Sequence, residues 1–359
     1  MDSKIRSLVK KLTLEEKVSL CSGSDFWHTK AIERLDIPAV MVCDGPSGLR
    51  KQNPEAGEGG VNNSIKAVCF PAAVNLAASF DTDIVFSVGE KIGEECQAEG
   101  IGTILGPGNN IKRSPLCGRN FEYYSEDPFL SGKIAAAFIN GVQSRGVGTS
   151  LKHFCANNQE YRRNSYDCRI DERTLREIYL KTFEIAVKES HPWTVMCAYN
   201  LVNGVQMSEN KRMLTDILRK EWGFEGLVMS DWGAVRDRVR GIAAGLDLEM
   251  PYSFGAYDDT VIQAVKDGEL PEEDIDRCVE RILRFVYRAI DSHNDEAVWD
   301  KDKHHLVARD IAGECIVLLK NEDKVLPIRN DEFVLFTGGF AVIIAKDVLG
   351  SHFKLVPFP

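Results

Sequence analysis

The sequence predicts a closed, parallel (β/α)8 barrel of the TIM type, followed by the start of a second α/β domain. Short apolar runs alternate with amphipathic helical segments about seven or eight times over the first 290 residues, which is the order of elements in such a barrel. The 359 residues are 44% hydrophobic and 27% charged, as in globular domains. A doubly wound open sheet is the structural alternative, but no glycine-rich phosphate-binding motif follows the first strand.

The predicted strands are short apolar runs that each end in polar residues or glycine. They cover residues 39–43, 73–79, 102–105, 149–151, 194–198, 226–230 and 244–248. In a closed barrel the side chains that follow the strands meet at one mouth, where barrel active sites are built. The functional residues are therefore expected directly after these runs.

The predicted helices lie between the strands and carry apolar residues at the 3.6-residue period. They cover residues 82–99, 127–145, 172–189, 211–222, 257–268 and 271–290. An opening helix is indicated by a capping box, in which Thr13 and Glu16 satisfy free backbone N–H groups at the helix start.

The alternation ends near residue 291, where a polar stretch predicts a linker. The barrel is predicted at residues 1–290, the linker at 291–304 and an incomplete second α/β domain at 305–359. That domain begins with a predicted helix over 305–319 and a strand over 333–336, and two elements are too few to bury a core.

The charge and the cysteine pattern exclude several classes of protein. Acidic residues outnumber basic ones, 54 to 44, and the net charge is −10, so the basic surface that nucleic acids or anionic membranes require is absent. Ten cysteines are scattered without metal-site or disulfide spacing, which is typical of thiols in a reducing compartment. No signal peptide or membrane-length apolar run is visible. We expect a cytoplasmic protein without nucleic-acid or membrane partners.

The motifs of serine hydrolases, P-loop enzymes and zinc hydrolases are absent from the sequence. We therefore expect no metal and no other cofactor.

Asp231 is the strongest single candidate for a functional residue, because it ends an apolar run and precedes Trp232. A carboxylate beside a large aromatic side chain suits a sugar, whose C–H face stacks on the indole while the carboxylate attacks the anomeric centre. The alternative is that Ser230 or Asp231 is only the N-cap of the next helix.

Four further polar residues follow predicted strands or lie in glycine-rich loops. Lys152 and His153 could donate hydrogen bonds to hydroxyl groups, or Lys152 could form a Schiff base with a carbonyl substrate; a solvated lysine and a core histidine are the alternatives. Asp44 could accept two sugar hydroxyls or simply open a β-turn. Arg119 could bind a ligand or pair with Glu122 or Glu126 on the surface.

A second carboxyl group is needed for acid–base chemistry on a sugar. The spacing does not choose among the candidates, which are Glu122, Asp127, Glu160, Asp247 and Glu249.

Taken together, the motifs resemble glycoside hydrolase family 3, and within it the bacterial β-glucosidases. The resemblance runs in order from about residue 5 to about residue 340. It is carried by the segments Leu12–Val18, Cys43–Arg50, Gly118–Pro128, Lys152–Asn158, Met196–Asn200, Gly226–Ala234, Ala244–Pro251 and Val317–Asn321.

The resemblance implies a role for each matching residue. Asp231 matches the position of the family's catalytic nucleophile, which forms a covalent glycosyl-enzyme. Trp232 matches a residue in the wall of the sugar subsite. The positions that contact the bound glucose are matched by Asp44, Arg119, Lys152, His153 and Tyr199. The implied substrates are β-glucosides or short oligosaccharides. We expect Lys152, Arg119 and the Tyr199 hydroxyl to keep Asp231 ionised.

The same resemblance implies that the general acid/base is missing from this chain. In the β-glucosidases of this family the general acid/base is a glutamate of a second domain, an α/β sandwich. In this chain the likeness to the family ends after Gly338–Ala341. A truncated or disrupted chain with low activity is therefore expected. The N-acetylglucosaminidases of the family carry a histidine in the loop after the Lys-His pair, but residues 154–160 contain none, which disfavours an amino sugar.

Three alternative functions stay open at this point. The chain could be a sugar-binding fragment without chemistry, a β-xylosidase or α-arabinosidase, or a Schiff-base lyase that uses Lys152.

Overall fold

The computed structural model describes residues 2–53, 63–322, 324 and 326–327, together with three strands between 334 and 356. The chain divides into two compact units, Met1–Ile316 and Val317–Pro359. Each unit is described by itself.

The first unit is built around a parallel sheet of five strands in the order β1-β2-β3-β5-β8. In chain order the strands of this unit are β1 Val42–Cys43, β2 Thr103–Ile104, β3 Gly148–Phe154, β4 Asp167–Cys168, β5 Thr194–Cys197, β6 Leu201–Val202, β7 Val205–Gln206 and β8 Leu227–Ser230. The short strands β4, β6 and β7 form a separate three-stranded sheet. The five sheet-forming strands are buried along their whole length, as expected for a parallel sheet that is covered by helices.

The parallel sheet curls back on itself. Isolated backbone bridges continue it beyond β8 toward β1, and they join Met229 to Leu248, Ser22 to Glu249 and His28 to Met41. The predicted α/β barrel class is confirmed, although the described residues form five regular parallel strands where eight were predicted.

Side-chain caps mark the start of several helices, whereas other helices begin without one. They are α1 Asp2–Val9, α2 Leu14–Leu20, α3 Ala73–Ala78, α4 Thr82–Ala98, α5 Pro128–Gln143, α6 Glu172–Thr174, α7 Lys181–Ser190, α8 Arg238–Ala244, α9 Asp258–Lys266, α10 Glu272–Asp291 and α11 Lys301–Glu314. Short 3₁₀ turns cover Glu33–Leu35, Asn120–Glu122 and Met207–Glu209, and π-helical segments cover Leu175–Tyr179 and Arg212–Glu221. The predicted capping box is present at α2, where Thr13 and Glu16 bond reciprocally.

Helices α4 and α5 approach closely because each carries a glycine at the contact. A Cβ atom on Gly89 would lie 2.4 Å from the Phe138 carbonyl oxygen, and one on Gly141 would lie 2.1 Å from that of Phe86. A larger residue at either position would push the two helices apart, so this contact fixes the outer layer that covers β2 and β3.

Two predicted elements are wrong. Residues 73–79 form helix α3 and not a strand, because Ala73, Leu76 and Ala77 are buried at helical spacing and alanine favours helix. Residues 244–248 are not a regular strand either, since α8 runs to Ala244 and ends at Gly245, whose φ is +105°.

The helix predicted over 305–319 is present, but its bounds lie earlier in the chain. Helix α11 instead covers Lys301–Glu314, because the Asp300 side chain caps its first turn. It belongs to the first compact unit, where His304 bonds to Glu94 and Glu95 of α4.

The second unit contains an antiparallel sheet in the order β11-β10-β9. Its strands are β9 Val334–Gly338, β10 Ala341–Ala345 and β11 Phe353–Val356. The assignment of residues 305–359 to the start of a sandwich domain stays a prediction. Within the described part of the chain, no helix combines the length and the apolar character needed to cross a membrane.

Candidate active site

The seven residues singled out from the sequence line one cavity of about 230 Å³. They are Asp44, Arg119, Lys152, His153, Tyr199, Asp231 and Trp232. The parallel strands bring them together. Asp44 directly follows β1, and Lys152 and His153 lie near the C-terminal end of β3. Tyr199 and Asp231 come after β5 and β8. The polar residues at the ends of the strands thus meet at the predicted mouth of the barrel.

Asp231 is buried, with 7% of its surface exposed. Its backbone N–H donates to the Cys197 carbonyl at 3.1 Å, which ties it to the neighbouring strand. Its Oδ1 accepts the Trp232 N–H at 2.8 Å, whereas Oδ2 has no hydrogen-bond partner in the described structure. The N-cap alternative does not hold, because α8 is capped by Asp237.

The backbone turns sharply after this residue pair. Gly233 has a φ of +75°, which glycine adopts without steric cost. Its N–H donates to the Met250 carbonyl at 2.9 Å, and the Ala234 N–H returns to the Asp231 carbonyl at 3.0 Å. The turn holds the carboxylate and the indole at the cavity.

The pKa of Asp231 is raised above the usual aspartate value, because burial disfavours the charged form. Arg119 and Lys152 act in the opposite direction, as expected, but they do not outweigh burial. The Tyr199 hydroxyl donates to the Trp232 carbonyl at 2.8 Å. Arg119, Lys152 and Tyr199 therefore all act on the pKa of Asp231 in the expected direction, and burial outweighs them.

Asp44 has the opposite electrostatic environment. Burial alone would raise its pKa, but Lys152 and Arg50 outweigh that effect and hold the pKa below the usual value. Lys152 Nζ lies 3.1 Å from Oδ1 and Arg50 Nη2 lies 2.9 Å from Oδ2. Asp44 is therefore an ionised hydrogen-bond acceptor at neutral pH.

Arg119, whose side chain is 19% exposed, pairs with Glu122, as one of the sequence alternatives predicted, and Arg119 itself lines the cavity. Glu122 Oε2 also lies 3.8 Å from Lys152 Nζ. These charges form a chain from Asp44 through Lys152 and Glu122 to Arg119, which orients the two cationic donors.

His153 is fully enclosed, and its orientation is fixed on both sides. Asn110 accepts its backbone N–H at 2.8 Å and donates to its carbonyl at 2.9 Å. Its Nδ1 lies 3.1 Å from the Tyr123 hydroxyl, which also accepts from Asn157 at 3.2 Å. The same Nδ1 lies 3.4 Å from Asn110 Oδ1, an oxygen that can only accept a hydrogen bond. The contacts of Nδ1 therefore fit either neutral tautomer.

The Nε2 atom of His153 lies 3.7 Å from Asp231 Oδ2. Burial, with the charges of Arg119 and Lys152, lowers the pKa of His153 far below the usual histidine value. The imidazole is consequently neutral, and this contact is a polar neighbour of the carboxylate and not an ion pair.

Aromatic side chains form one wall of the cavity. The rings of Trp232 and Trp27 have centroids 5.6 Å apart, and the Trp232 Nε1–H donates to the Phe26 carbonyl at 3.0 Å. This bond fixes the plane of the indole, so that its face is available to an apolar ring surface.

Sequence reasoning missed six residues of the cavity wall, which are Phe26, Trp27, Arg50, Leu105, Arg163 and Met196. Arg50 ends the Cys43–Arg50 segment, so its position was a usable signal. Arg163 lies over the Tyr199 ring at 4.4 Å and pairs with Glu160 at 2.9 Å. No local pattern marks Arg163 or Trp27, which reach the cavity only through the folding of loops.

The five candidate second carboxylates all have other partners. Asp127 caps α5, Asp247 binds Arg219 and Arg281, Glu249 bonds to Ser253, and Glu122 and Glu160 are in the ion pairs described above. Among the described residues, no group of three or more His, Cys, Asp or Glu side chains could hold a metal ion.

The arrangement suits a small polyhydroxylated ring. It offers an ionised acceptor, several oriented N–H donors, an aromatic face and one carboxylate oxygen without a partner. Such a site can bind a sugar and attack its anomeric carbon.

Comparison with known proteins agrees with this geometry. Residues 32–285 match the family described as glycosyl hydrolase family 3 N terminal domain. The chain is 56% identical over 336 residues to thermostable beta-glucosidase B of Acetivibrio thermocellus, covering 94% of this chain and 44% of that protein. It is 51% identical to an exo-alpha-(1->6)-L-arabinopyranosidase of Bifidobacterium breve, covering 89% of this chain and 42% of that protein.

A solved structure is also similar. Beta-glucosidase 3B from Thermotoga neapolitana, in complex with glucose, aligns with a TM-score of 0.84 and 42% identity over 91% of this chain and 49% of that chain. The chain thus spans less than half the length of these relatives. By its matched family and by this degree of identity, the chain belongs to glycosyl hydrolase family 3.

Proposed function

We propose that the chain binds the terminal glucosyl residue of β-D-glucosides and that Asp231 attacks its anomeric carbon in a retaining mechanism. One observation carries the proposal: Asp231 Oδ2 is buried, has no hydrogen-bond partner in the described structure, and lines a cavity rich in oriented donors. The proposal is supported by relatives that are named β-glucosidases.

In the proposed reaction, Asp231 Oδ2 forms a bond to the anomeric carbon while the bond to the leaving oxygen breaks and its electrons go to that oxygen. The product is a glycosyl ester, which water then hydrolyses with net retention. Asp44 would accept sugar hydroxyl protons, and Lys152, His153 and Arg119 would donate to sugar oxygens. Trp232 would pack against the apolar face of the ring.

The proton for the leaving oxygen is proposed to come from a group other than the carboxylates near this cavity. Asp44 is paired with Lys152 and Arg50, and Glu122 with Arg119. An ion-paired carboxylate holds no proton to donate at neutral pH. Residual activity of the 359-residue chain should therefore be confined to substrates whose leaving groups need little protonation, because general acid catalysis contributes typically about 10²–10⁴-fold.

The test is covalent trapping. The purified chain is incubated with a 2-deoxy-2-fluoro-β-D-glucoside that carries a 2,4-dinitrophenyl leaving group, and intact-mass and peptide mass spectrometry then locate the adduct. We expect one 2-fluoroglucosyl group on Asp231. Asp231→Asn should give no adduct, whereas Asp216→Asn, a matched change at an exposed aspartate that pairs with Lys220, should label normally.

Two outcomes separate the proposal from the non-catalytic alternative. A chain that is folded by circular dichroism and binds glucose in a calorimeter, yet forms no adduct, would be a sugar-binding fragment. An adduct on another residue would remove Asp231 from the mechanism.

A second substrate class is favoured by the 51% identity to an exo-alpha-(1->6)-L-arabinopyranosidase. That sugar lacks the hydroxymethyl group of glucose. The kcat/KM values for the 4-nitrophenyl β-D-glucoside, β-D-xyloside and α-L-arabinopyranoside decide between the classes. A preference for either pentoside would replace glucose in the proposal.

The Schiff-base alternative is disfavoured by geometry, because Lys152 Nζ is paired with Asp44 and an ion-paired ammonium is not a nucleophile. Borohydride trapping of a carbonyl compound on Lys152 would reverse this conclusion.

A further inference from the structure

A second cavity, of about 720 Å³, lies at the other end of the parallel strands. Its wall includes Trp193 and Gly226, which directly precede β5 and β8. The candidate active site contains Tyr199 and Asp231, which follow the same strands. Each strand has four residues, so about 13 Å of strand separates the two ends.

Four arginine side chains line this second cavity, and three of them lie on one face of helix α10. Arg281, Arg284 and Arg288 are spaced three and four residues apart, so their guanidinium groups are neighbours on the helix surface. Arg219 reaches the same cavity from the Arg212–Glu221 segment. Like charges at this spacing repel one another, and an anion between them would relieve the repulsion.

The carboxylates nearby do not pair with these cations one to one. Arg219 and Arg281 share a single partner, the fully buried side chain of Asp247, at 2.5 and 2.9 Å. The partners of Arg284 are more exposed, namely Asp2 at 3.3 Å and Glu280 at 4.0 Å. Glu225 also lines the cavity, but it forms no ion pair with these arginines among the described residues.

Arg288 has no carboxylate partner in the part of the chain that the structure describes. Its guanidinium carbon lies 4.2 Å from the centre of the Trp193 indole. A guanidinium stacked in this way keeps its N–H edges free for an in-plane anion. Burial, with no opposing anionic contribution, lowers the pKa of Arg288.

Two buried N–H groups of the same wall also lack acceptors among the described residues. They are Nε1 of Trp193, a residue with 5% of its surface exposed, and Nε of Arg219, whose side chain is 9% exposed. Buried donors in folded proteins are normally satisfied by a protein or ligand acceptor. Both groups belong to residues that line the cavity, and the described residues offer them no acceptor.

We infer that this cavity is a binding site for a phosphate group, carried either by inorganic phosphate or by a small phosphomonoester such as a phosphorylated sugar. Planar guanidinium groups match the tetrahedral oxyanion in geometry and charge. The cavity volume lies in the range of small-molecule sites, so there is room for an organic group beside the phosphate. The site is separate from the candidate active site and does not depend on the function proposed for it.

The test is calorimetric titration of the 359-residue chain with inorganic phosphate and with glucose 6-phosphate, in a low-salt buffer. Saturating glucose is included so that the sugar cavity does not contribute. We expect saturable binding with one ligand per chain. Tighter binding of glucose 6-phosphate would identify a phosphomonoester as the source of the phosphate, and equal or tighter binding of inorganic phosphate would identify the free ion.

Arginine variants then locate the site. Arg288→Gln and, separately, Arg284→Gln should weaken binding by about tenfold or more, while glucose binding and the circular dichroism spectrum stay unchanged. The matched control is Arg173→Gln, since Arg173 is 83% exposed, pairs with Glu177 and does not line the cavity. Absence of saturable binding at millimolar ligand, or equal binding by Arg288→Gln and the wild-type chain, would overturn the assignment.

Discussion

Replacing Asp247 with asparagine should destabilise the barrel strongly. The Asp247 side chain is fully buried, and it accepts bonds from Arg219 at 2.5 Å, from Arg281 at 2.9 Å and from the Val228 backbone N–H at 2.8 Å. The last of these bonds ties it to β8, the strand that ends at Asp231. Asparagine can still accept the backbone bond, but it leaves two guanidinium groups without their shared anion.

The magnitude follows from burial. Arg219 is 9% exposed and Arg281 is 21% exposed, so water cannot replace the lost carboxylate for Arg219 and replaces it only in part for Arg281. Breaking a buried ion pair by removing one partner costs about 3–5 kcal/mol. At about 2 °C per kcal/mol for a domain of this size, the thermal midpoint should fall by about 6–10 °C.

The assay is urea unfolding at 25 °C followed by far-ultraviolet circular dichroism, with a thermal scan as a second readout. The matched control is Asp216→Asn, because Asp216 also pairs with a cation, Lys220 at 2.8 Å, but is exposed. Exposed pairs contribute little, so its unfolding midpoint should match that of the wild-type chain. If both variants unfold at the same urea concentration, the argument that the Asp247 pairs stabilise the fold through burial is refuted.

Three further predictions concern the candidate active site. Burial raises the pKa of Asp231, so the ionised carboxylate reduces folding stability above that pKa, and this reduction disappears as the pH falls. At neutral pH Asp231→Asn should therefore raise the thermal midpoint measured by scanning fluorimetry. A lower midpoint would contradict this. For the same reason, the rate of adduct formation should fall toward acid pH with a midpoint above about 4, the usual aspartate pKa. Mass spectrometry of samples quenched at set times across a pH series measures this rate. A midpoint below about 4 would refute the role of burial. Asp44→Asn removes an ionised acceptor and leaves Lys152 without its 3.1 Å partner. Because a hydrogen bond to a charged group contributes about 1.5–3 kcal/mol, calorimetry should show glucose affinity reduced by about tenfold or more. A change under about threefold would exclude Asp44 from sugar binding.

Local sequence patterns determined much of this molecule. The capping box at Thr13 and the apolar periodicity of residues 82–99 and 127–145 predicted helices that are present. The rule that barrel strands deliver their following residues to one mouth placed Asp44, Lys152 and Asp231 together. The caps and the helical periodicity depend on residues within one or two turns of one another, so they are readable along the chain.

The errors of the sequence analysis have a common physical origin. Residues 73–79 are apolar and short, and periodicity alone does not separate a buried strand from a short helix of alanines. Only the packing of Ala73, Leu76 and Ala77 against the core decides that they form a helix. The segment 244–248 is likewise apolar and predicts a strand. Its second residue, Gly245, instead adopts a left-handed conformation that terminates α8.

The sequence by itself determined the α/β barrel class and seven of the residues that line the sugar-sized cavity. The tertiary structure alone decided the opposite pKa shifts of Asp231 and Asp44, because burial and through-space charge are set by residues distant in sequence, such as Arg50 and Arg119. It also decided that Arg219 and the arginines of α10 share one cavity with Trp193. Their sequence separation gives no sign of this proximity, since only the closing of the curled sheet brings these segments together.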